Sequence, residues 1–136
     1  MAATEPWITL GRTYESSLAL LSDPAKEVYV LREGEQLCGF VVLDLRGPLN
    51  GYIQTVCVAP SHRGHGVGTA LVRWSEERIW QQSPNVFLCV SSFNDGARRL
   101  YARLGYRVVG ALTDFLVPGH DEILLRKSKG PWAKFR

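Results

Sequence analysis

The sequence predicts an α/β fold of the α+β kind, with a mixed central sheet of six to seven strands flanked by helices. Three observations carry that prediction. Short β-branched and aromatic runs alternate with helical stripes in the order β-α-β-β-β-α-β-α-β-β. The run Val86–Val90 (VFLCV) is nearly all apolar, as in a strand covered on both faces. The chain has 136 residues, 46% of them hydrophobic, enough to bury roughly two-thirds of its unfolded surface without staples.

Along the chain, Trp7–Leu10 reads as a short first strand. Tyr14, Leu18 and Leu21 recur at helical spacing, and that helix stops ahead of Asp23-Pro24. Val28–Leu31 and Leu37–Leu45 are strands joined by the turn Arg32-Glu33-Gly34-Glu35, hence a hairpin. After the loop 46–51 comes the strand Tyr52–Val58, ending at Ala59-Pro60. Ser61–Gly68 is a glycine-rich turn. It leads into a helix with an apolar stripe of Val67, Ala70, Leu71 and Trp74 that runs to about Gln82. Beyond Val86–Val90, Asn94 is placed to cap a helix with the stripe Ala97, Leu100, Tyr101, Leu104, and Gly105 is placed to end it. Tyr106–Leu112 and Glu122–Arg126 complete the strands. No repeat or Pro/Gly/Ser-rich linker divides the chain, so residues 1–136 read as a single domain.

Composition excludes more than it names. A charge of +3 and 21% charged residues suit a globular domain and do not demand nucleic acid as partner. No apolar stretch approaches a membrane span, and the N-terminus lacks the pattern of a secretory signal. Three cysteines, each in an apolar run, read as reduced core residues of a cytoplasmic protein.

Arg63-Gly64-His65-Gly66-Val67-Gly68, between a strand and a helix, is the strongest chemical signal. Glycines allow close backbone approach, and a helix start presents free N–H groups and a positive dipole end, a setting for phosphates or a pyrophosphate. The same glycines also serve a tight strand-to-helix turn with no ligand at all. A P-loop is excluded, because no Lys-Ser/Thr pair follows the last glycine. The dinucleotide fingerprint is excluded by the G-x-G-x-G spacing and by the hairpin upstream.

Val58-Ala59-Pro60-Ser61-His62-Arg63-Gly64-His65-Gly66-Val67-Gly68 closely resembles motif A of the GNAT superfamily of acyl-CoA-dependent N-acetyltransferases, with Arg63, Gly66 and Gly68 at its fixed positions. Asn94, Ala97, Leu100, Tyr101, Gly105 and Tyr106 fill every fixed position of the family's motif B, Asn-x-x-Ala-x-x-Leu-Tyr-x-x-x-Gly-Phe/Tyr. The resemblance runs from about Leu37 to Tyr106. It implies the GNAT fold, in which two central parallel strands splay, here 53–58 and 86–90, with the pantetheine of coenzyme A in the gap. It also implies acetyl-CoA as co-substrate and direct attack by a primary amine, with no metal and no covalent enzyme intermediate. Backbone N–H groups of Val56 and Val58 would then meet the acetyl carbonyl and pantetheine, and one of them would hold the oxyanion. The amides of Arg63, Gly64, His65, Gly66, Val67 and Gly68, with Thr69, would hold the pyrophosphate. Asn94 would touch the cofactor while capping its helix. Tyr101 would be the general acid that protonates the departing thiolate, a role suited to a phenol of pKa near ~10. By residue pattern alone, Tyr101 reads as a core aromatic and Asn94 as a plain cap.

The proton acceptor departs from the family pattern, because Tyr52 stands where many relatives carry a Glu. The candidates are Asp44, Asp114 and the His120-Asp121-Glu122 cluster, with a water chain as another route. The acceptor, a small-molecule or peptide amine, is not legible; Tyr14, Tyr52, Phe93, Phe115 and His120 are candidate pocket aromatics. Residues 126–136 carry two Arg and three Lys interleaved with two aromatics, read as a solvated tail with Trp132 packed back, rather than as a nucleic-acid grip. A homodimer fits the resemblance. The alternative function is a non-catalytic acyl-CoA-binding sensor or interaction module.

Overall fold

The computed structural model describes residues 5–136. Thr13 and Ser16 open the first helix with a reciprocal capping box, each side chain accepting the other's backbone N–H, which satisfies two otherwise unpaired donors. That helix, α1, spans Tyr14–Leu21. The strands are β1 (Glu27–Glu33), β2 (Gln36–Asp44), β3 (Tyr52–Val58), β4 (Asn85–Ser91), β5 (Arg107–Val117) and β6 (His120–Ser128). Helix α2 (Val67–Ile79) joins β3 to β4, and α3 (Asp95–Arg103) joins β4 to β5. Together the strands form one six-stranded sheet in the order β1-β2-β3-β4-β6-β5. Every neighbouring pair is antiparallel except β3–β4.

The core lies between the sheet and the helices: Val41, Leu43 and Ile53 meet Leu71, Val72 and Ile79 of α2 and Tyr101 of α3. Gly39 permits this approach, because a Cβ there would lie 2.6 Å from the Cys57 carbonyl and 3.0 Å from Leu71 Cδ1. At the start of β3, Gly51 has φ +150°, and a Cβ would sit 2.5 Å from the Asn85 carbonyl, so β3 and β4 begin in close contact.

Several expectations are corrected. Trp7–Leu10 is not a strand: Leu10 and Arg12 donate backbone hydrogen bonds back to Pro6 and Trp7, coiling 5–11 into turns. Trp74 is not core. It is 45% exposed and covers Tyr29 at 4.1 Å between ring centroids, while α2 buries Leu71, Val72, Ser75, Glu76 and Ile79. That helix ends at Ile79, short of Gln82. Tyr14, Leu18 and Leu21 face outward, and α1 buries Ser17 and Leu20 instead. Residues 126–136 are a solvated tail only in part: β6 runs to Ser128, while 131–134 and 136 are exposed. Arg126 and Lys127 lie in β6, Arg126 Nε donates to Asn85 Oδ1 (2.9 Å), and the Lys129 ammonium sits 4.0 Å above the Trp80 ring. Trp132 is half exposed and packs edge-on against Phe135. Among the described residues, no helix is long and apolar enough to cross a membrane.

Candidate active site

The parallel pair β3–β4 stays together for only two rungs, Tyr52 with Phe87 and Ile53 with Leu88, and then parts. From Gln54 onward the β4-facing edge of β3 therefore carries backbone groups with no ladder partner. At the point of parting β3 is irregular. Val42 pairs with Thr55 but Leu43 pairs with Ile53, so Gln54 is an extra residue in the strand. Such a bulge re-aims side chains and is common beside active sites.

A cleft of about 290 Å³ occupies the parting. Gln54, Thr55 and Val56 of β3 line one side, and Cys89, Val90 and Ser91 of β4 the other. Asn94, Ala97 and Tyr101 come from α3, Glu122 from β6 and Leu116 from β5. The turns of the N-terminal segment bring Pro6, Trp7, Leu10 and Arg12 over its mouth.

Val56 thus lies in the cleft. Val58 lies at the strand end, where it meets the glycine turn; a Cβ on Gly68 would be 3.7 Å from Val58 and 3.4 Å from Leu100 of α3. Arg63 follows a short 3-10 turn (Pro60–His62), extended in backbone, exposed, and 3.4 Å from the Glu5 carbonyl through its guanidinium. Gly64 and Gly66 have φ of 77° and 80°. Gly66 is the N-cap of α2, with no side chain covering the first N–H groups, which leaves an open anion seat at the helix start. His65 is exposed, and Val67 and Thr69 are half-buried in that first turn. The structure therefore brings Val56, Asn94 and Tyr101 together in the cleft and sets residues 63–69 at the end of the strand that forms its wall.

Asn94 does cap α3: its Oδ1 accepts the Ala97 N–H at 3.3 Å. Tyr101 is 7% exposed, and burial pushes its phenol up to about 12, so it stays protonated across the physiological range.

The structure separates the candidate proton acceptors. Asp44 is tied to Lys26 (2.7 Å) and accepts the Gly47 N–H (3.0 Å), outside the cleft. Asp114, at φ 51°, accepts the Gly119 N–H in the β5–β6 turn, and Asp121 accepts from Asp114 N. His120 stacks edge-on with Phe93 at 4.9 Å. Glu122 alone among these lines the cleft. It is 5% exposed, accepts one hydrogen bond from Ser91 Oγ (2.6 Å), and burial pushes its carboxyl above the ordinary range. Tyr52 lies at the base of the parting, its phenol pushed up by burial. Gln54 was not anticipated from the sequence. Its Oε1 is buried with no hydrogen-bond partner, and only the register of the bulge exposes its significance. Cys38, Cys57 and Cys89 are free thiols, with Cys89 in the cleft wall. Among the described residues one trio has metal-ligand types within 4.8 Å, Glu33, Cys38 and His62; it lies at the end of the β1–β2 hairpin, outside the cleft.

A mixed sheet whose one parallel pair splays around a cleft, with an open glycine helix start beside it, is the arrangement that the resemblance to the GNAT superfamily implies. The acetyltransferase (GNAT) family model matches residues 2–106, and the chain belongs to that family. It is 29% identical to the N-alpha-acetyltransferase RimI of Mycobacterium tuberculosis, over 81% of this chain and 71% of that protein. An uncharacterised N-acetyltransferase of Methanocaldococcus jannaschii is 38% identical over 62% of this chain, a match that spans 55% of the relative's length. Among solved structures, nourseothricin acetyltransferase superposes with TM-score 0.70 at 28% identity, covering 79% of this chain and 68% of that one. A putative streptothricin acetyltransferase from Bacillus anthracis, solved with acetyl coenzyme A, shares the fold at TM-score 0.70 and 21% identity, over 88% and 69% of the chains.

Proposed function

We propose that this protein transfers the acetyl group of acetyl-CoA to a primary amine by direct attack, within the cleft between β3 and β4. The observation that carries the reading is the parting of these strands after Ile53 and Leu88, with the buried Tyr101 reaching the cleft and an open helix start at the strand's end. Backbone groups at Val56 and Val58 take the thioester and pantetheine. Residues Arg63 to Gly68, with Thr69, take the pyrophosphate, and Asn94 approaches the cofactor from its cap. Bound acetyl-CoA supplies an activated acyl carbon and a thiolate leaving group. A backbone N–H on the free edge of β3 stabilises the oxyanion, and Tyr101 gives its proton to the sulfur. The acceptor is a small-molecule or peptide amine. The relatives support amine chemistry without naming this chain's own substrate. The basic residues of β6 are engaged within the fold, which argues against a nucleic-acid partner. The free cysteines suit a cytoplasmic enzyme. We take the chain as one domain, because its six strands form one sheet.

The test is acetyl-CoA with a panel of amines, scored by thiol release. Release should depend on the amine, and Tyr101→Phe should lower kcat by about 100-fold or more with acetyl-CoA affinity unchanged. Tight acetyl-CoA binding with no release for any amine would instead mark a sensor or interaction module.

A further inference from the structure

We propose that Glu122 and Gln54 form the receptor for the acceptor's ammonium group, Gln54 Oε1 holding it and the Glu122 carboxylate taking its proton. This rests on the acetyl-transfer reading and assigns what that reading leaves open. Two observations converge on it. Gln54 Oε1 is buried without a partner on a bulge at the start of the cleft, and an unmet buried acceptor is costly unless a ligand donor completes it. Glu122, from the far side of the same cleft, is buried with a single neutral donor, Ser91 Oγ on its Oε2, and forms no ion pair among the described residues. Both residues line the same cleft, and two acceptor groups there suit a species carrying several N–H donors and a positive charge. The mouth sets apolar Pro6, Trp7, Leu10 and Leu116 beside the Arg12 guanidinium and Ser16. The substrate class is therefore a primary ammonium on an arm that packs on these apolar side chains.

The protons balance. Glu122 takes one proton from the ammonium and releases it to water. The freed nitrogen lone pair forms the N–C bond to the acetyl carbon, and the C–S bond breaks. Tyr101 protonates the sulfur and recovers the second proton lost by the nitrogen. The net release is one proton per acetyl group. Other titratable groups around Glu122 are Tyr52 on β3, Cys89 on β4, Tyr101 on α3 and Arg12 at the mouth, while β5 places Leu112 opposite it. Burial pushes the two phenols and the thiol up, so all three stay protonated at neutral pH.

Calorimetric titration of n-hexylammonium onto the coenzyme A-saturated protein reads the receptor without turnover, with n-hexanol as the neutral control. Hexylammonium should bind at least about 10-fold more tightly than hexanol. The preference should vanish in Glu122→Gln and fall about 5-fold in Gln54→Leu. In turnover, Glu122→Gln should lose about 100-fold or more in kcat/KM together with the acidic limb of its pH profile, and Glu122→Asp should restore part of both. Equal binding of hexylammonium and hexanol, or an unaltered acidic limb in Glu122→Gln, overturns the assignment. A preference for hexylammonium in a protein that transfers no acetyl group would refute the transfer reading and leave the receptor standing.

Discussion

Two buried carboxylates separate the part of this molecule that holds the fold from the part that acts. Glu76, on α2, is 4% exposed and fully answered: Tyr106 Oη donates to it at 2.9 Å and Lys127 Nζ at 3.0 and 3.1 Å. That cluster ties α2 to the start of β5 and to β6, and Lys127 also lies over the Trp80 and Tyr106 rings. Glu122, 5% exposed, has one hydroxyl donor and a cavity in front of it. Burying a carboxylate is costly, and a cation with hydrogen bonds offsets the cost. Where the fold supplies that cation, as at Glu76, the group is structural. Where it does not, and an unpartnered amide oxygen lines the same cleft, the missing donor points to a ligand.

Removing the answered carboxylate should cost the most stability. Glu76→Ala strands Lys127 and the Tyr106 hydroxyl, and should cost about 3 kcal/mol, the low end for a broken buried pair because Lys127 is partly exposed. Calorimetry should show a melting point lower by roughly 10 °C, with activity per folded molecule unchanged. A smaller effect of opposite sign is expected at Glu122. Its carboxyl is raised in the folded state, so the native protein holds the proton longer than the unfolded chain, and stability falls as pH rises above the ordinary value of 4.5. Glu122→Gln removes that penalty. Its melting point should overtake the wild type's between pH 4.5 and neutrality. A third carboxylate, Asp44, calibrates the comparison. Its hydrogen bond from the Lys26 ammonium lowers its pKa, so its contribution is present above the ordinary 3.8 and is lost as pH falls through the lowered value. Both partners are partly exposed, and Asp44→Asn should cost under about 1 kcal/mol, less in high salt.

The glycine turn and the α3 cap were legible because each depends on local backbone chemistry, whereas the sheet's parallel pair was legible only through the family resemblance. Helix faces were less legible. Trp74 fits an apolar stripe as well as Val72 does, and only the packing of β1 decides that Trp74 covers Tyr29 from outside. Trp7–Leu10 has strand-like residues but no strand to pair with once Leu10, Gly11 and Arg12 bond back within the segment. The contacts of Arg126, Lys127 and Lys129 were not legible because their partners, Asn85, Glu76 and Trp80, are distant in sequence. Gln54 was invisible for a sharper reason: its side chain matters through a one-residue slip in the β2–β3 register, which no pattern of alternation encodes. Glu122 was visible only as one of a group. Its register opposite Ser91 is what turns it into the cleft wall.

The most direct test is one variant measured two ways, Glu122→Gln assayed for amine-dependent thiol release from acetyl-CoA and melted beside the wild type at pH 7. A functional, unanswered carboxylate predicts kcat/KM lower by about 100-fold or more with a melting point equal to or above the wild type's. A lower melting point with undiminished activity per folded molecule would make Glu122 a second Glu76, and the account of this cleft would be wrong.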